Sequence, residues 1–385
     1  MLQKYDGDKM KLAGLTWWRY NYGSILQAYA LQQELNRRKG IEYEILCQYG
    51  KKVASVSNLK DKLKRLGIRV TLKRIIWKFG FKKLRNRNNK IQRFMDAHLR
   101  VSDREYSEEN IKEANNFYDG FMCGSDQVWN PQLVETDSIY WLAFAEPGKL
   151  KFSYAPSVGV DNFTTDQKTQ ICKNLADFKK ISTREETSTR LINDAMGKNC
   201  CTTVLDPTLL TDRALWDKMS EKRIYDEPYI FVYILRGTKA QRKLIETFAD
   251  KVGLKIVTMP FLDTERIEMY DFKFGDYKLW DADPAEFIAA IRYADYVITD
   301  SFHSMVFSCL YHRTFYTFPK IGKAQLNRLT GLQKLFEISS RMITENMTVD
   351  DLLRMPDIDW KSVDSILNEK RKISRHYLDE VFEEE

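Results

Sequence analysis

The chain is poor in the residues from which metal sites and disulfides are built. Its 385 residues include only four histidines and six cysteines. The cysteines are scattered and show no Cys-x-x-Cys spacing, and so few imidazoles make a metal site hard to assemble. We therefore expect no metal and no cofactor, and we expect the cysteines to be reduced and mostly buried.

Long hydrophobic runs are also missing. No run of about 18 apolar residues is present, so the sequence holds no candidate for a membrane-spanning helix. Residues 1–11 are polar and lack the apolar core of a signal peptide, which predicts a cytoplasmic location. With 43% apolar and 30% charged residues, the composition is typical of a soluble globular protein, and the length favours two domains.

Positive charge is concentrated in one stretch. Residues 60–93 hold fourteen lysines and arginines and a single acid, Asp61, whereas the whole chain has a net charge of +7. The remainder is therefore net negative. Apolar side chains interleave with the basic ones, which predicts one or two amphipathic helices in a basic arm at residues 51–100. Such an arm can lie on an anionic membrane, touch nucleic acid electrostatically, or form a solvated face covering the domain.

Short apolar runs alternate with segments of helical spacing along most of the chain. Predicted strands at 12–16 and 41–46 flank a helix, and residues 229–235 form a continuous apolar run typical of a buried parallel strand. Further strands are predicted at 255–259, 296–299 and 315–318. This alternation predicts an α/β protein with two doubly wound, Rossmann-like parallel-sheet domains facing each other across a cleft.

The predicted domains follow from this pattern. Residues 1–215 form the N-terminal domain, with the basic arm as an insertion, and residues 225–345 form the C-terminal domain. The junction is placed within 211–228 because that stretch is charged and weakly patterned. Residues 346–385 are expected to form a helical C-terminal tail whose last residues fray.

A dense group of unlike polar side chains follows a predicted strand at 117–122. After a glycine turn come Ser125, Asp126, Gln127, Trp129 and Asn130. Loops at strand ends are where α/β sheets place their ligand chemistry. The alternative is a turn in which the aspartate and the asparagine bond their own backbone.

Three further predicted loops are also candidates for binding a ligand. Residues 21–24 precede a helix, whose free amides favour an anion, although plain capping explains the same residues equally well. Arg236 and His303 each follow a predicted strand of the second domain. The carboxyl ends of parallel strands line the crevice of an open α/β sheet, so we predict that these loops and residues 123–131 line the interdomain cleft.

Four stretches together resemble the polysaccharide pyruvyl transferase family. They are residues 21–31, 124–131, 204–210 and 299–304, and their order and spacing are more specific than any one of them. The resemblance implies a fold like that of the two-domain GT-B glycosyltransferases. It also implies transfer of the enolpyruvyl unit of phosphoenolpyruvate onto a sugar to form a pyruvate ketal, with phosphoenolpyruvate as donor and no other cofactor.

The resemblance also bears on partners. The family's acceptors are often lipid-linked sugars, which favours the membrane interpretation of residues 60–93 and a location at the inner face of the membrane. Nucleic acid is then not expected as a partner. The Asp-Pro pair at Asp206 has a plainer explanation as a strand exit, because a residue before proline avoids the α region.

Site roles combine the resemblance with residue chemistry. Histidine side chains ordinarily titrate in a range that suits general acid–base catalysis, and His303 offers two usable nitrogens, although a histidine at a helix start is often a cap or a packing residue. Asp126 is expected to orient the histidine or to act as base toward the acceptor hydroxyl. Arg236 is the expected clamp for a carboxylate or phosphate. Trp129 is expected to stack on a sugar ring.

The resemblance implies one further basic residue in contact with an anion, and no basic residue of this chain stands at its usual position. Family members often carry a basic residue where this chain has Ser301, and Arg328, which looks like a family arginine, is preferred over Lys323 as its substitute. The other predicted substrate-binding residues are Asn21, Tyr22, Gly23, Ser125, Gln127, Asn130, Phe302 and Ser304.

Two other functions compete. One is a GT-B glycosyltransferase with a nucleotide-sugar donor, which the fold does not exclude. The other is a non-catalytic carbohydrate-binding protein, against which the presence of Asp126, Arg236 and His303 argues.

Overall fold

A computed structural model describes residues 9–48, 82–235, 237–260, 269–319, 323–338 and 341–383. Residues 51–81 of the basic arm and Arg236 lie outside these ranges. Within them, no helix is both long enough and apolar enough to cross a membrane.

The first half is built on a five-stranded parallel sheet of order β3-β2-β1-β4-β5. Its strands are β1 (Met10–Leu15), β2 (Ile41–Gln48), β3 (Val101–Tyr106), β4 (Gly120–Cys123) and β5 (Leu150–Ser153). Strands β1 and β4, at the centre of the sheet, are almost fully buried, which is why they were recognisable as apolar runs. Strand β3 lies at the sheet edge with three exposed polar residues in a row, so its pattern gave no strand prediction.

Two helices join these strands. Helix α1 (Tyr22–Asn36) connects β1 to β2 and is buried on nearly all sides, because it lies between the first sheet and the second half. Helix α2 (Lys82–His98) precedes β3 and is the described part of the basic arm. Short 3-10 helices follow at Ile111–Asn116 and Ile139–Trp141.

A small two-stranded parallel sheet extends the first half. It consists of β6 (Ile181–Thr183) and β7 (Cys201–Thr203), with α3 (Thr165–Leu175) before it and α4 (Glu186–Met196) between its strands. A single bridge between Phe152 and Lys180 places β6 beside β5. Helices α5 (Pro207–Leu210) and α6 (Arg213–Met219) then lead toward the second half.

The second half repeats the topology of the first. Its five-stranded parallel sheet has the order β10-β9-β8-β11-β12, which matches β3-β2-β1-β4-β5 position by position. The strands are β8 (Tyr229–Tyr233), β9 (Lys255–Thr258), β10 (Tyr277–Lys278), β11 (Tyr296–Thr299) and β12 (Thr314–Thr317). The predicted α/β fold of two Rossmann-like halves is confirmed.

The helices of the second half are α7 (Lys239–Val252), α8 (Pro284–Arg292), α9 (Phe302–Leu310), α10 (Lys323–Leu335) and α11 (Val349–Leu353), with a 3-10 helix at Met269–Phe272. Helix α8 starts with Asp283 as N-cap and proline at the first helical position, which favours a helix start. Helix α9 begins at Phe302, directly after the N-cap residue Ser301. His303 therefore lies in its first turn and not in a surface loop.

The C-terminal helix α12 (Trp360–Phe382) packs against the first half. The Tyr377 hydroxyl donates to the carbonyl of Ser153 at 2.7 Å, and the Phe382 ring contacts Phe152. The segment predicted as a helical C-terminal tail thus contains a helix that packs on the first half. Its burial joins both halves in one hydrophobic cluster, while the exact domain boundaries stay a prediction.

Candidate functional site

The exits of four central strands meet where the halves touch. Strand β1 pairs with β4 so that Leu15 lies beside Cys123, and β8 pairs with β11 so that Tyr233 lies beside Thr299. These are the positions at which strand order reverses in each sheet. Each half therefore presents two adjacent loops at its switch point.

Gly23 and His303 bring the two halves into direct contact at these strand exits. A Cβ atom built on Gly23 would lie 2.0 Å from Nδ1 of His303. The imidazole ring therefore rests directly against the backbone of the first turn of α1. Only glycine allows this contact.

The amino end of α1 also holds Asp126. The Asn21 side chain caps the helix by accepting from the Ser24 amide at 3.3 Å. The Ser24 hydroxyl in turn donates to Oδ2 of Asp126 at 2.7 Å, while Oδ1 accepts from the Gln127 amide at 2.9 Å. The helix dipole stabilises this carboxylate. For this helix start, an anionic ligand and plain capping were the two alternatives. In the structure Asn21 is the cap, and the carboxylate beside the helix start is that of the protein's own Asp126.

His303 faces a different carboxylate from the one expected. Its Nε2 lies 3.6 Å from Oδ2 of Asp206, and both side chains are buried. Oδ1 of Asp206 accepts from the amide and hydroxyl of Thr208, and Oδ2 accepts from Nη1 of Arg184 at 2.7 Å. Asp206, and not Asp126, is therefore the carboxylate that orients this histidine.

Electrostatics keep Asp206 ionised. Burial alone would raise the pKa of the Asp206 carboxyl, but the neighbouring His303 ring and Arg184 guanidinium hold it well below its usual range. Burial would likewise lower the pKa of Arg184, yet Glu185 and Asp206 raise it above its ordinary value. A permanent ion pair therefore lies behind the imidazole.

Arg184 occupies the exit of β6. Its Nε donates to Glu185 at 3.0 Å, and its guanidinium lies over the Phe302 ring, 4.5 Å from the centroid. The side chain is only 2% exposed. Phe302, a predicted substrate contact, thus packs under the arginine.

Several buried polar atoms near this point have no hydrogen-bond partner within the described ranges. They are Nε2 of His303, Nη2 of Arg184, Oγ of Ser304 and Oγ of Ser157, whose amide donates to the Asp126 carbonyl. An unsatisfied buried polar group costs about 1–3 kcal/mol. Their accumulation in one place is the signal expected of a ligand site.

Several polar and aromatic side chains of the loop at 124–130 contact other parts of the protein and are not open to a ligand. Trp129 is 0% exposed, stacks on Trp141 at 4.8 Å and donates its indole N–H to the Tyr140 carbonyl. The predicted stacking of Trp129 on a sugar therefore does not fit the structure. The Asn130 amide donates to Gln127 at 3.0 Å, and Asn130 Oδ1 accepts from a backbone amide two residues on.

Two more predicted contacts are internal. The Ser125 hydroxyl donates to the Ala155 carbonyl at 2.9 Å in a buried setting. The Tyr22 hydroxyl donates to the Ala282 carbonyl at 2.7 Å and accepts from Nε of Arg87 at 2.9 Å. Tyr22 therefore joins the halves and is not open to a ligand.

The remaining predicted residues are less defined. Ser301 precedes α9 at the N-cap position, without a capping bond from its side chain. Arg328 belongs to α10, but its side chain, like all of Arg236, lies outside the described part of the chain. The predicted anion clamps at these two arginines stay predictions, as does the predicted absence of a metal or cofactor.

Sequence reasoning missed Arg184 and Asp206 as site residues. Both follow strand-like runs, as the correctly chosen loops do, and the strand-exit rule applied to every run would have selected them. Asp206 was instead explained by the proline after it. Nothing local showed that residues 184, 206 and 303 would meet.

The architecture resembles that of solved UDP-GlcNAc 2-epimerases. The enzyme from Methanocaldococcus jannaschii aligns with a TM-score of 0.51 at 11% identity over 94% of each chain. That from Rickettsia bellii gives 0.52 at 12% identity, covering 97% of this chain and 96% of its own. That from Neisseria meningitidis gives 0.51 at 8% identity, covering 96% and 99%. The protein therefore has the two-domain GT-B fold that these epimerases share.

The family follows from sequence. The model of the polysaccharide pyruvyl transferases matches residues 21–319, which include Gly23, Asp126, Arg184, Asp206 and His303. The chain belongs to the polysaccharide pyruvyl transferase family. No curated protein matches it in sequence.

Proposed function

We propose that this protein transfers the pyruvyl unit of phosphoenolpyruvate onto two hydroxyls of a sugar, forming a pyruvate ketal and releasing phosphate. The observation that carries the proposal is the buried His303 ring, whose Nε2 has no hydrogen-bond partner in the described structure and lies 3.6 Å from the ionised Asp206. An imidazole held in this way suits a proton-transfer role at the contact between the halves.

The chemistry requires a proton donor and then a proton acceptor. Protonation of the methylene carbon of phosphoenolpyruvate produces a methyl group and an oxocarbenium-like centre at the neighbouring carbon. One sugar hydroxyl attacks that carbon and loses its proton. The carbon–oxygen bond to phosphate then breaks, and the second hydroxyl attacks and loses its proton. One proton remains in the methyl group and the other leaves with the phosphate.

His303 is the proposed proton donor, with Asp206 as its positioning residue. The Asp206 carboxylate, 3.6 Å from Nε2, faces the ring and orients it, and Arg184 keeps that carboxylate ionised. Asp126 is the proposed base toward the acceptor hydroxyl. Its Oδ2 accepts from the Ser24 hydroxyl at 2.7 Å, at the amino end of α1, where the helix dipole favours negative charge.

The donor's negative charges need cations. Arg236 is the proposed clamp, because it follows β8 at the switch point of the second half. Arg328 in α10 is the proposed second contact, since Ser301 supplies no charge. Both assignments depend on position in the fold and on residue chemistry.

The acceptor is proposed to be a lipid-linked sugar, met at an anionic membrane surface by the basic arm. Two features of α2 bear on this. Lys82 and Lys83 are exposed, as a membrane contact requires. Arg87 and Lys90 are instead engaged within the protein, because Nε of Arg87 donates to the Tyr22 hydroxyl at 2.9 Å and Lys90 pairs with Glu286 of the second half at 3.0 Å.

The direct test is release of inorganic phosphate from phosphoenolpyruvate in the presence of sugar acceptors. His303→Ala should lower the turnover by about 10²- to 10⁴-fold. Because the ring is buried, its loss should also cost about 1–3 kcal/mol of stability, measured by urea unfolding, so assays belong at a temperature where the variant is folded. If His303→Ala turns over phosphoenolpyruvate nearly as fast as the wild type, the histidine does not transfer a proton in the reaction.

Donor identity separates the competing functions. Phosphoenolpyruvate should raise the melting temperature of the protein, whereas a nucleotide-sugar should not. Stabilisation by a nucleotide-sugar alone would favour a glycosyltransferase. Binding of sugars without any donor effect or phosphate release would favour a non-catalytic carbohydrate-binding protein.

A further inference from the structure

Two aromatic side chains form a partly exposed stack beside the end of β10. Phe272 is the last residue of the 3-10 helix at Met269–Phe272, and Trp280 follows β10 by two residues. The ring centroids lie 5.6 Å apart, with 30° between the ring planes. Phe272 is 36% exposed and Trp280 is half-buried. Open aromatic surface of this kind often marks a binding site, and the proposed proton-transfer site uses neither residue.

One hydrogen bond places the Phe272–Trp280 stack beside the loop after β8. The Tyr270 hydroxyl, in the same 3-10 helix as Phe272, donates to the Gly237 carbonyl at 3.2 Å. The guanidinium of Arg242 lies over the Tyr270 ring, 4.8 Å from its centroid, and holds it in this position. Gly237 directly follows Arg236, the proposed donor clamp. The stack and the loop that carries the clamp are therefore neighbours.

A second hydrogen bond places the stack beside the start of α1. The Tyr22 hydroxyl donates at 2.7 Å to the carbonyl of Ala282, which follows Trp280 by two residues. Tyr22 directly precedes Gly23, on which the His303 ring rests. The stack thus lies between the proposed donor clamp and the proposed proton donor. The proposed reaction requires its acceptor in that region.

The loop from β10 to α8 suits hydroxyl groups better than phosphates. Within residues 279–283, Asp281 and Asp283 are acidic and no residue is basic. Asp281 is half-buried and directly follows Trp280. Carboxylates accept hydrogen bonds from hydroxyls and repel phosphate groups. Three cations near this loop bind within the protein: Lys278 at the Gly275 carbonyl, Arg87 at the Tyr22 hydroxyl and Lys90 at Glu286. A neutral sugar ring therefore fits here better than a nucleotide.

We infer that the Phe272–Trp280 stack binds the pyranose ring of the acceptor through the C–H bonds on one face of that ring. The assignment rests on the proposed function, which requires a sugar as second substrate. The negative face of an aromatic ring attracts the weakly positive hydrogens of such a sugar face. Phosphoenolpyruvate has neither a ring nor an extended apolar face, so the stack does not suit the donor. The stack thus takes the role that the sequence predicted for the buried Trp129.

Binding is measured by saturation-transfer NMR titration without phosphoenolpyruvate, with methyl β-D-glucopyranoside as the probe. All its ring substituents are equatorial, so both ring faces present C–H bonds. Phe272→Ala and Trp280→Ala should each weaken binding by about three- to tenfold, whereas Trp280→Phe keeps a ring and should keep most of the affinity. Melting temperatures check folding, and Phe272→Ala, at the more exposed ring, serves as the test if Trp280→Ala does not fold.

Phe117→Ala is the matched control. Phe117 is 41% exposed, but it precedes β4 and so lies at the amino end of the first sheet, away from the strand exits. Its loss should leave binding of the glucoside unchanged. No binding by the wild type, or equal weakening in Phe117→Ala, would overturn the inference. Binding of uridine monophosphate that the stack variants weaken, without binding of the glucoside, would assign the stack to a nucleobase instead.

Turnover assays separate the acceptor from the donor. Trp280→Ala should raise the KM for the sugar acceptor by about three- to tenfold and leave the KM for phosphoenolpyruvate unchanged. A higher KM for phosphoenolpyruvate with an unchanged KM for the acceptor would contradict the acceptor assignment. If the wild type releases no phosphate from phosphoenolpyruvate, the proposed function fails, and the NMR result for the sugar still stands.

Discussion

Asp206 connects more of the candidate site than any other side chain. It contacts Arg184 through one carboxylate oxygen and Thr208 through the other, and it faces the imidazole of His303. Removing its charge would leave the guanidinium of Arg184 with one acid fewer in a buried setting. Breaking a buried ion pair by removing one partner is costly.

Asp206→Asn should therefore reduce both stability and turnover. We expect a loss of about 3 kcal/mol or more in the free energy of unfolding, measured with urea at neutral pH. Turnover should fall, by roughly tenfold or more, with little change in the KM for phosphoenolpyruvate, because the variant misplaces His303 but leaves the donor contacts in place. Asp212→Asn, at a mostly exposed pair with Arg375, should cost less than about 1 kcal/mol.

The same carboxylate predicts a pH dependence. The folded-state pKa of Asp206 is depressed, so its contribution to stability is fully present above the unfolded value of about 3.9. That contribution should be lost as the pH falls from there through the folded pKa. The difference in unfolding free energy between the wild type and Asp206→Asn should therefore shrink in acid. A difference that stays constant down to about pH 2 would contradict this account.

Gly23 tests whether the position of His303 matters. Gly23→Ala places a methyl group 2.0 Å from Nδ1, so the ring must move. We expect turnover to fall by roughly tenfold or more, with the circular dichroism spectrum unchanged. In the double variant with His303→Ala, the alanine at 23 should cause little further loss, because the two residues act through one contact. Additive losses would show that Gly23 acts elsewhere.

Among the elements, α2 combines two roles on one helix. Its apolar face is buried at Ile91, Phe94 and Met95, and two of its cations contact residues of other elements. Lys82 and Lys83 at its start are exposed. This division indicates which charges are available for an anionic surface.

The double variant Lys82→Glu/Lys83→Glu should weaken binding to anionic liposomes. Each basic residue near such a surface contributes about 1 kcal/mol, so the change should be readily measured by co-sedimentation. The matched control is Lys168→Glu/Lys173→Glu on α3, where both lysines are likewise exposed. Liposome binding unchanged in the first pair, or equally weakened in the control, would show that α2 is only a solvated face.

In the whole molecule, the halves are joined by a shared core in addition to the chain connection. Tyr22 stacks on Phe287 with ring centroids 5.1 Å apart, and its hydroxyl bonds Ala282 and Arg87. Helix α12 also packs on the first half, where the Tyr377 hydroxyl donates to the Ser153 carbonyl. These contacts set the distance between α1 and α9, and hence between Gly23 and His303.

Tyr22→Phe should weaken this junction specifically. The ring packing stays, but the Ala282 carbonyl and the Arg87 guanidinium lose a partner, at a cost of about 1–3 kcal/mol. Thermal unfolding should show a lower melting temperature. Tyr20→Phe is the control, since Tyr20 is 56% exposed. Equal melting temperatures for Tyr22→Phe and the wild type would mean that the hydroxyl does not stabilise the contact between the halves.

The sequence by itself determined the fold class, the family and most of the loops at the switch points. A buried parallel strand has a continuous apolar sequence, and a glycine or a polar cluster after it marks the end of the strand. Both features can be recognised from residues adjacent in the sequence. Strand β3 was not predicted because it lies at the sheet edge and carries exposed charged residues. The packing of α12 could not be predicted because its partners, such as Ser153, lie far away in the sequence.

Only the tertiary structure decided which polar residues form the site. Asp126 and Trp129 both belong to the most conspicuous motif. Asp126 lies at the site, where it binds the start of α1, whereas Trp129 is buried and stacks on Trp141. His303 meets Asp206 and Gly23, residues remote in sequence on other elements. Hydrogen bonds and charge interactions act over a few ångströms of space, and spacing along the chain does not report that distance.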